Sequence, residues 1–445
     1  MAAPGARGGA PRNVAIIGGG PAGAQCARRL AEAGVPATLF EPRTAFEKPC
    51  GGGVPARAVA RFPFLLDPRL PVKAIRSCAL VAPSGRETEV LLPDPLYVFG
   101  RADLHAHLID RALAAGARLE RARVLSFGRE GAGGGRGGAG GWRLRTAAAE
   151  HGPFDFLVGA DGASGAVGRR LAGGPPRGGL TQGIGYYVPG LVEERITLKF
   201  YEGINGYLWV FPRADHASAG ICGALGERPV AFLRTLMDRW LAERYGPGIP
   251  ERSERYAALI PGALPGSGQA PLQGDGWALA GDATRLVDPL TREGIYYAML
   301  SGEMLAEALA RGRPDGYAAA WASRQAKELA WAGRHAAGFF DGRFSERLVA
   351  LCAASPRVAR VLADLINGWQ PYRGLKRRLL LAAPRVVFEA ALRLRRARGR
   401  RSTDRSGDGC GPAVASRPGH GTRGTRPARR ASDGRRRPGS TAGGA

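Results

Sequence analysis

No two of the six cysteines, Cys26, Cys50, Cys78, Cys222, Cys352 and Cys410, stand two residues apart. That absence excludes a CxxC zinc knuckle or dithiol redox pair, and thiols so scattered argue against a disulfide framework. Nor is there a run of about eighteen apolar residues, so no helix of the chain is expected to span a bilayer. The opening "MAAPGARGGAPR" has no apolar core of the kind a secretory leader needs, and a cytoplasmic location is expected. The segment from Arg393 to Ala445 contains no Phe, Tyr, Trp, Lys or Glu, yet holds fifteen arginines against three aspartates, a net +12 of the chain's +26. Such a composition cannot bury enough surface to fold, so residues 399–445 are expected to form a disordered Arg/Gly-rich tail. The tail attracts polyanions through counterion release but lacks stacking rings, and no specific nucleic-acid binding is expected. A second stretch without core-forming residues, Gly128 to Gly141, reads as a flexible hairpin tip.

What remains is enough to build a large core. The 445 residues are 44% hydrophobic, which leads to an expectation of two domains or one large domain carrying an inserted sheet. The first unit is "NVAIIGGGPAGAQCARRLAEAGVPATLFEPR", Asn13 to Arg43. Val14 to Ile17 has the aliphatic, β-branched character of a buried parallel strand, Ala22 to Ala33 has helical composition ending at Gly34, and Ala37 to Phe40 is a second strand. Gly18, Gly20 and Gly23 fill a GxGxxG pattern in that strand–turn–helix context: the first makes the turn, the second admits a pyrophosphate, the third lets helix and sheet approach. Pro21 and Ala22 open the helix whose free N–H groups face the phosphates. Glu41, ending the second strand, is placed to accept hydrogen bonds from ribose hydroxyls, which favours FAD or NAD over NADP.

Two later stretches add to this pattern. "FDFLVGADGASGAVGRRL", Phe154 to Leu171, is a strand, an Asp-Gly turn and a basic helix. "GWALAGDATRLVDPLTREGIYYAMLSGEMLAEAL", Gly276 to Leu309, is a strand, a Gly-Asp turn, a proline-containing loop and a helix with Ile295, Met299, Gly302, Leu305, Ala306 and Leu309 on one face. Together with Gly18 to Glu41 these segments resemble the para-hydroxybenzoate hydroxylase-like flavoprotein fold. The resemblance implies an α/β architecture: a Rossmann-like FAD-binding domain of residues 13–62, 96–182 and 272–312, and an inserted mixed or antiparallel β-sheet substrate domain of residues 63–95 and 183–271. C-terminal helices would follow over residues 313–398. It also implies that Asp161, Gly281 and Asp282 contact FAD, Asp282 at the ribitol or pyrophosphate. Arg101 would reach the cofactor from the start of its helix, backbone at Val124 would meet the adenine, and Pro289, Gly294 and Ile295 would sit beside the flavin. A helix beginning at Gly294 would stabilise negative charge on reduced flavin. There is no second Rossmann unit, so electrons would come from NAD(P)H bound transiently or from a ferredoxin.

"EKPCGGGVPARAV", Glu47 to Val59, and "YLWVFPRADHASAGICG", Tyr207 to Gly223, are similar to signatures of the geranylgeranyl reductase branch of that fold. Two departures stand out: Gly220-Ile221-Cys222-Gly223 replaces a Gly-x-Gly close, and Arg292 occupies a position where many relatives have glycine. The resemblance implies an enzyme that reduces carbon–carbon double bonds of an isoprenoid chain. An isolated alkene needs a proton delivered beside the hydride, and Cys50 is a candidate donor or a small residue packed beneath the ring. Gly51, Gly52 and Gly53 would let the cofactor edge and a threadlike substrate approach the backbone. Tyr207, Trp209 and Phe211 alternate onto one face of a strand, either a sheet core or an apolar tunnel wall for an isoprenoid lipid or prenylated substrate. Tyr372 to Arg401 reads as a basic amphipathic stretch broken near Pro384, either a packing helix or a peripheral contact at the inner face of a membrane. An FAD-dependent monooxygenase, a flavin-dependent halogenase and a redox-inert flavoprotein adaptor are the alternatives; no catalytic lysine element of the halogenase kind is found. Oligomeric state is not legible.

Overall fold

Val14–Ile17 and Phe156–Gly159 are almost wholly apolar and buried, as strands covered on both faces must be. They lie side by side at the centre of a six-stranded sheet in the computed structural model, which describes residues 9–130, 140–174, 179–262, 271–285 and 287–381. Across this sheet the order is Gln273–Gly274, Trp277–Leu279, Phe156–Gly159, Val14–Ile17, Ala37–Phe40 and Arg118–Glu120. All neighbours run parallel except the terminal hairpin. The helix Pro21–Glu32 starts at the expected turn, with proline in its first turn where no N–H is needed. It packs against the helix Ile295–Ala310 so closely that a side chain at Gly302 would stand 2.2 Å from the Ala22 carbonyl oxygen. Every residue of the predicted face of that second helix, Ile295 to Leu309, is buried.

The second sheet has eight strands in the order Glu254–Pro261, Leu180–Pro189, His216–Ala224, Leu208–Pro212, Ile196–Lys199, Val72–Val81, Glu87–Phe99 and Gly53–Val54. It is antiparallel except where Ile196–Lys199 meets Val72–Val81. The helix Val230–Tyr245 covers one face, seating Leu233, Met237 and Leu241 against Leu208, Val210 and Ile221. The C-terminal helices Gly342–Ala354 and Pro356–Ile366 pack on the strand Glu87–Phe99. A small three-stranded sheet, Ser126–Arg129, Trp142–Arg145 and Glu150–Phe154, sits over Phe40 and Leu157.

The α/β class and the inserted mixed sheet are as expected, but the expected boundaries are not where the strands divide. The junctions at residues 95/96 and 182/183 fall inside the strands Glu87–Phe99 and Leu180–Pro189. Gly53–Val54, assigned to the cofactor segment, pairs with Val98 and Tyr97 in the second sheet. Backbone pairing continues on both sides of the junctions that the resemblance implies. Among the described residues no helix is long and apolar enough to cross a membrane. The expected tail at 399–445, the break near Pro384 and residues 131–139 of the glycine-rich run lie outside the described residues.

Candidate active site

Three glycines stand at the groove at the carboxyl ends of the parallel strands. Gly18 has φ +102, and a Cβ there would meet the Ala160 carbonyl oxygen at 2.4 Å; at Gly23 it would meet the Gly18 oxygen at 1.9 Å. At Gly20 it would meet nothing within 4 Å, so that position faces open space. Two glycines therefore serve the protein's own packing and the middle one faces whatever fills the groove. Glu41 is aimed by its own backbone surroundings, Oε2 accepting from the Gly19 N–H at 2.8 Å and Oε1 from the Arg43 N–H at 3.0 Å. Arg101 heads the helix Arg101–Ala114, 5% exposed, with Nε lacking a hydrogen-bond partner. Asp161 accepts from the Val167 N–H at 2.9 Å, and burial raises its carboxyl above the ordinary value. A side chain at Gly165 would collide with that carboxylate.

Gly18, Gly20, Pro21, Ala22, Glu41, Arg101, Asp161, Gly281, Asp282, Gly294 and Ile295 all line this groove, which holds about 1130 Å³ of unfilled space. Gly23 lies beneath it in the helix packing. Two expected contacts do not reach it. Val124 is not in the lining; it precedes a strand that starts at Ser126, and its side chain packs on the cluster under the three-stranded sheet. Pro289 is buried in the loop before the long helix, between Val287 and Arg292, which do line the groove. Lys48 and His105, not among the expected residues, also line the groove. Lys48 forms an ion pair with Asp282 at 2.7 Å, His105 accepts from the Phe46 N–H through Nδ1, and burial holds its imidazole below the ordinary value. Glu47 accepts from the Ala102 N–H at 2.7 Å and pairs with buried Arg213 at 2.9 Å. Lys48 and Asp282 are 234 positions apart, and no local pattern announces such a pair.

A second cavity, apolar and holding about 1310 Å³ of unfilled space, opens beside the first. Tyr207, Trp209 and Phe211 all face it, while Leu208 and Val210 point into the opposite core, so the alternation predicted from the strand holds. The Tyr207 hydroxyl donates to the Thr291 carbonyl at 2.5 Å, and burial pushes its phenol well above the ordinary range. Gly220 explains the unusual close of this motif: a Cβ there would stand 2.4 Å from the Trp209 ring, and the strand His216–Ala224 keeps unbroken register on both sides. Phe339, Leu348, Leu362, Leu365 and Ile366 of the C-terminal helices complete the apolar wall.

Gly51, Gly52 and Gly53, expected where cofactor edge and substrate approach the backbone, line this apolar cavity. A Cβ at Gly53 would lie 2.5 Å from Phe211 and one at Gly52 2.3 Å from the Phe99 carbonyl oxygen, so the glycines seat a ring and a backbone strand of the protein itself. The two cavities share Pro49, Cys50, Ile260, Arg292, Gly294 and Ile295. Cys50 is half-buried; its Sγ accepts from the Gly52 N–H at 3.3 Å and its carbonyl accepts from the Ser218 hydroxyl at 3.0 Å. Arg292, with φ +58, occupies left-handed backbone that favours glycine, and its Nη2 donates to Asn205 Oδ1 at 3.2 Å.

Against known proteins, the chain is 29% identical over 336 residues to a chloroplast geranylgeranyl diphosphate reductase of Oryza sativa, covering 68% of this chain and 67% of that one. It is 30% identical over 353 residues to a digeranylgeranylglycerophospholipid reductase of Methanothermobacter thermautotrophicus, covering 71% of this chain and 85% of that one. The chain belongs to the geranylgeranyl reductase family. No family model matches it. Among solved structures it is similar to a geranylgeranyl bacteriochlorophyll reductase-like protein of Thermoplasma acidophilum, with a TM-score of 0.69 and 20% identity over 82% of this chain and 98% of that one, a likeness of fold. In this member of the family the thiol loop and the ring-bearing strand, remote in sequence, meet around one junction.

Proposed function

We propose that this chain is an FAD-dependent oxidoreductase that reduces carbon–carbon double bonds of an isoprenoid chain. The observation that carries the reading is the shared wall: the groove beside Gly20 and Asp282 and the apolar cavity bounded by Tyr207, Trp209 and Phe211 have Cys50 in common. FAD fits the groove residues because Gly20 leaves its cradle open, Arg101 keeps an unsatisfied donor, and Glu41 offers a carboxylate already aimed by two N–H groups. When bound, the flavin supplies a hydride. The dipole at the start of the helix Ile295–Ala310 favours negative charge near Gly294. The apolar cavity holds the prenyl chain and excludes water from it. Cys50 sits where cofactor and substrate meet, as donor or shaper of the reaction geometry.

Electrons enter from NAD(P)H or a ferredoxin. The exposed Leu380 and Leu381, beside Lys376, Arg377 and Arg378, support a peripheral membrane contact by which a lipid substrate reaches the cavity. The test is anaerobic: holo-protein reduced with dithionite is mixed with geranylgeranyl diphosphate and the lipid is weighed by mass spectrometry. Gain of hydrogen pairs is expected. Insertion of oxygen in air, with no hydrogen gained anaerobically, would replace this reading with the monooxygenase one.

A further inference from the structure

Among the described residues that line the apolar cavity, Glu293 alone carries a carboxyl group. It lies between Arg292, in left-handed backbone, and Gly294, which precedes the helix Ile295–Ala310. Its Oε1 accepts from the Tyr296 N–H at 2.7 Å. The charged and titratable groups around it come from three elements. Asp288, on the same loop, is held by the Tyr372 hydroxyl at 2.7 and 2.8 Å and by the Leu290 and Thr291 N–H groups. Arg57, on the helix Ala56–Arg61, donates to the Tyr297 hydroxyl at 3.2 Å and lies 4.3 Å over the Tyr296 ring. Tyr297, on the long helix, is buried and occupied by that bond.

Burial disfavours the Glu293 carboxylate and Asp288 repels it, while the Tyr296 N–H and Arg57 favour it; burial dominates and the group is pushed up to about 8. A carboxylic acid at the wall of an apolar cavity, holding its proton more tightly than an ordinary carboxyl, is the equipment an unactivated alkene needs. Its simplest structural role, capping the helix through Oε1, needs only an oxygen acceptor, which glutamine also supplies.

We propose that Glu293 is a second catalytic residue of this site, the acid that protonates the prenyl double bond while Cys50 shapes the junction. The proposal rests on the functional reading above. In the balanced step one alkene carbon gains a hydride from reduced flavin, which is thereby oxidised by two electrons. The other carbon forms a C–H bond as the Glu293 O–H bond breaks. The carboxylate left behind regains its proton from water.

The experiment compares wild-type holo-protein with E293Q and C50S. Flavin reoxidation by geranylgeranyl diphosphate is followed anaerobically from pH 6 to pH 10, beside FAD affinity, flavin midpoint potential and an infrared titration of the protonated-carboxyl band. E293Q is expected to lose about 10²- to 10⁴-fold in reoxidation rate, with FAD affinity and potential unchanged. The wild-type rate and the carboxyl band are expected to fall together above about pH 8, with C50S keeping that limb and E293Q lacking the band. Reoxidation by E293Q at the wild-type rate would overturn the proposal, as would a limb that vanishes in C50S and persists in E293Q. A wild-type protein that binds FAD but is not reoxidised by the prenyl probe contradicts the functional reading itself, whereas normal turnover in E293Q contradicts this inference alone.

Discussion

The groove and the apolar cavity are neighbours made in opposite ways. The groove is assembled from short signatures whose glycines act on residues near them in the first βαβ unit or on the adjacent parallel strand, as Gly18 does on Ala160 and Gly23 on Gly18. The cavity is assembled from side chains delivered by strands, loops and C-terminal helices, Cys50, Leu80, Trp209, Tyr256 and Leu365 among them. One is a backbone device that glycine makes possible, the other a packing device that glycine merely accommodates. The difference teaches that equal-looking glycines do different work, and substitution separates them.

The largest effect is expected inside the groove. G23V drives carbon into the Gly18 carbonyl and should abolish the soluble folded protein, whereas G20V, where nothing of the protein lies within 4 Å, should keep the wild-type melting temperature. Its FAD affinity should nevertheless fall more than about 100-fold, about 2.7 kcal/mol. Absorbance of the purified proteins checks both; a colourless but stable G23V would break the distinction. In the cavity, G53A should cost about 1–3 kcal/mol by crowding Phe211. F211L should restore most of that loss in a double-mutant cycle of denaturant unfolding.

A smaller effect concerns pH. Because the folded Glu293 binds its proton up to about pH 8, above its ordinary value of 4.5, its contribution to stability is present in full below the ordinary carboxylate range and is lost as pH rises through about 8. Melting temperatures of E293Q should therefore decline less than those of wild type between pH 5 and pH 9. The smallest effect is expected for K48M. Loss of a part-exposed ion pair to Asp282 should change stability by less than about 1 kcal/mol and weaken FAD binding by less than about tenfold, measured by cofactor titration.

Legibility in the sequence follows the same division. The strand Val14–Ile17 and the helix after it were readable because each is local: a β-branched run, a turn and a proline at a helix start. The alternation of Tyr207, Trp209 and Phe211 was readable because a strand has period two. That the rings form a cavity wall was not, since this depends on Phe339 and Leu365 arriving from helices far along the chain. That the glycines after Cys50 also seat Phe211 and the Phe99 carbonyl is not legible, because these are long-range partners. Glu293 gave no signal: its chemistry comes from what surrounds it, and the letters beside it show only an arginine and a glycine.

The central claim, that the two cavities are one working space joined at Cys50, is tested most directly by a crystal structure of the protein with FAD and geranylgeraniol. The account predicts the prenyl chain between the Trp209 and Phe211 rings, with one of its double bonds in van der Waals contact with the flavin ring beside Cys50. A prenyl chain bound on another surface, or one walled off from the flavin by protein, would contradict it.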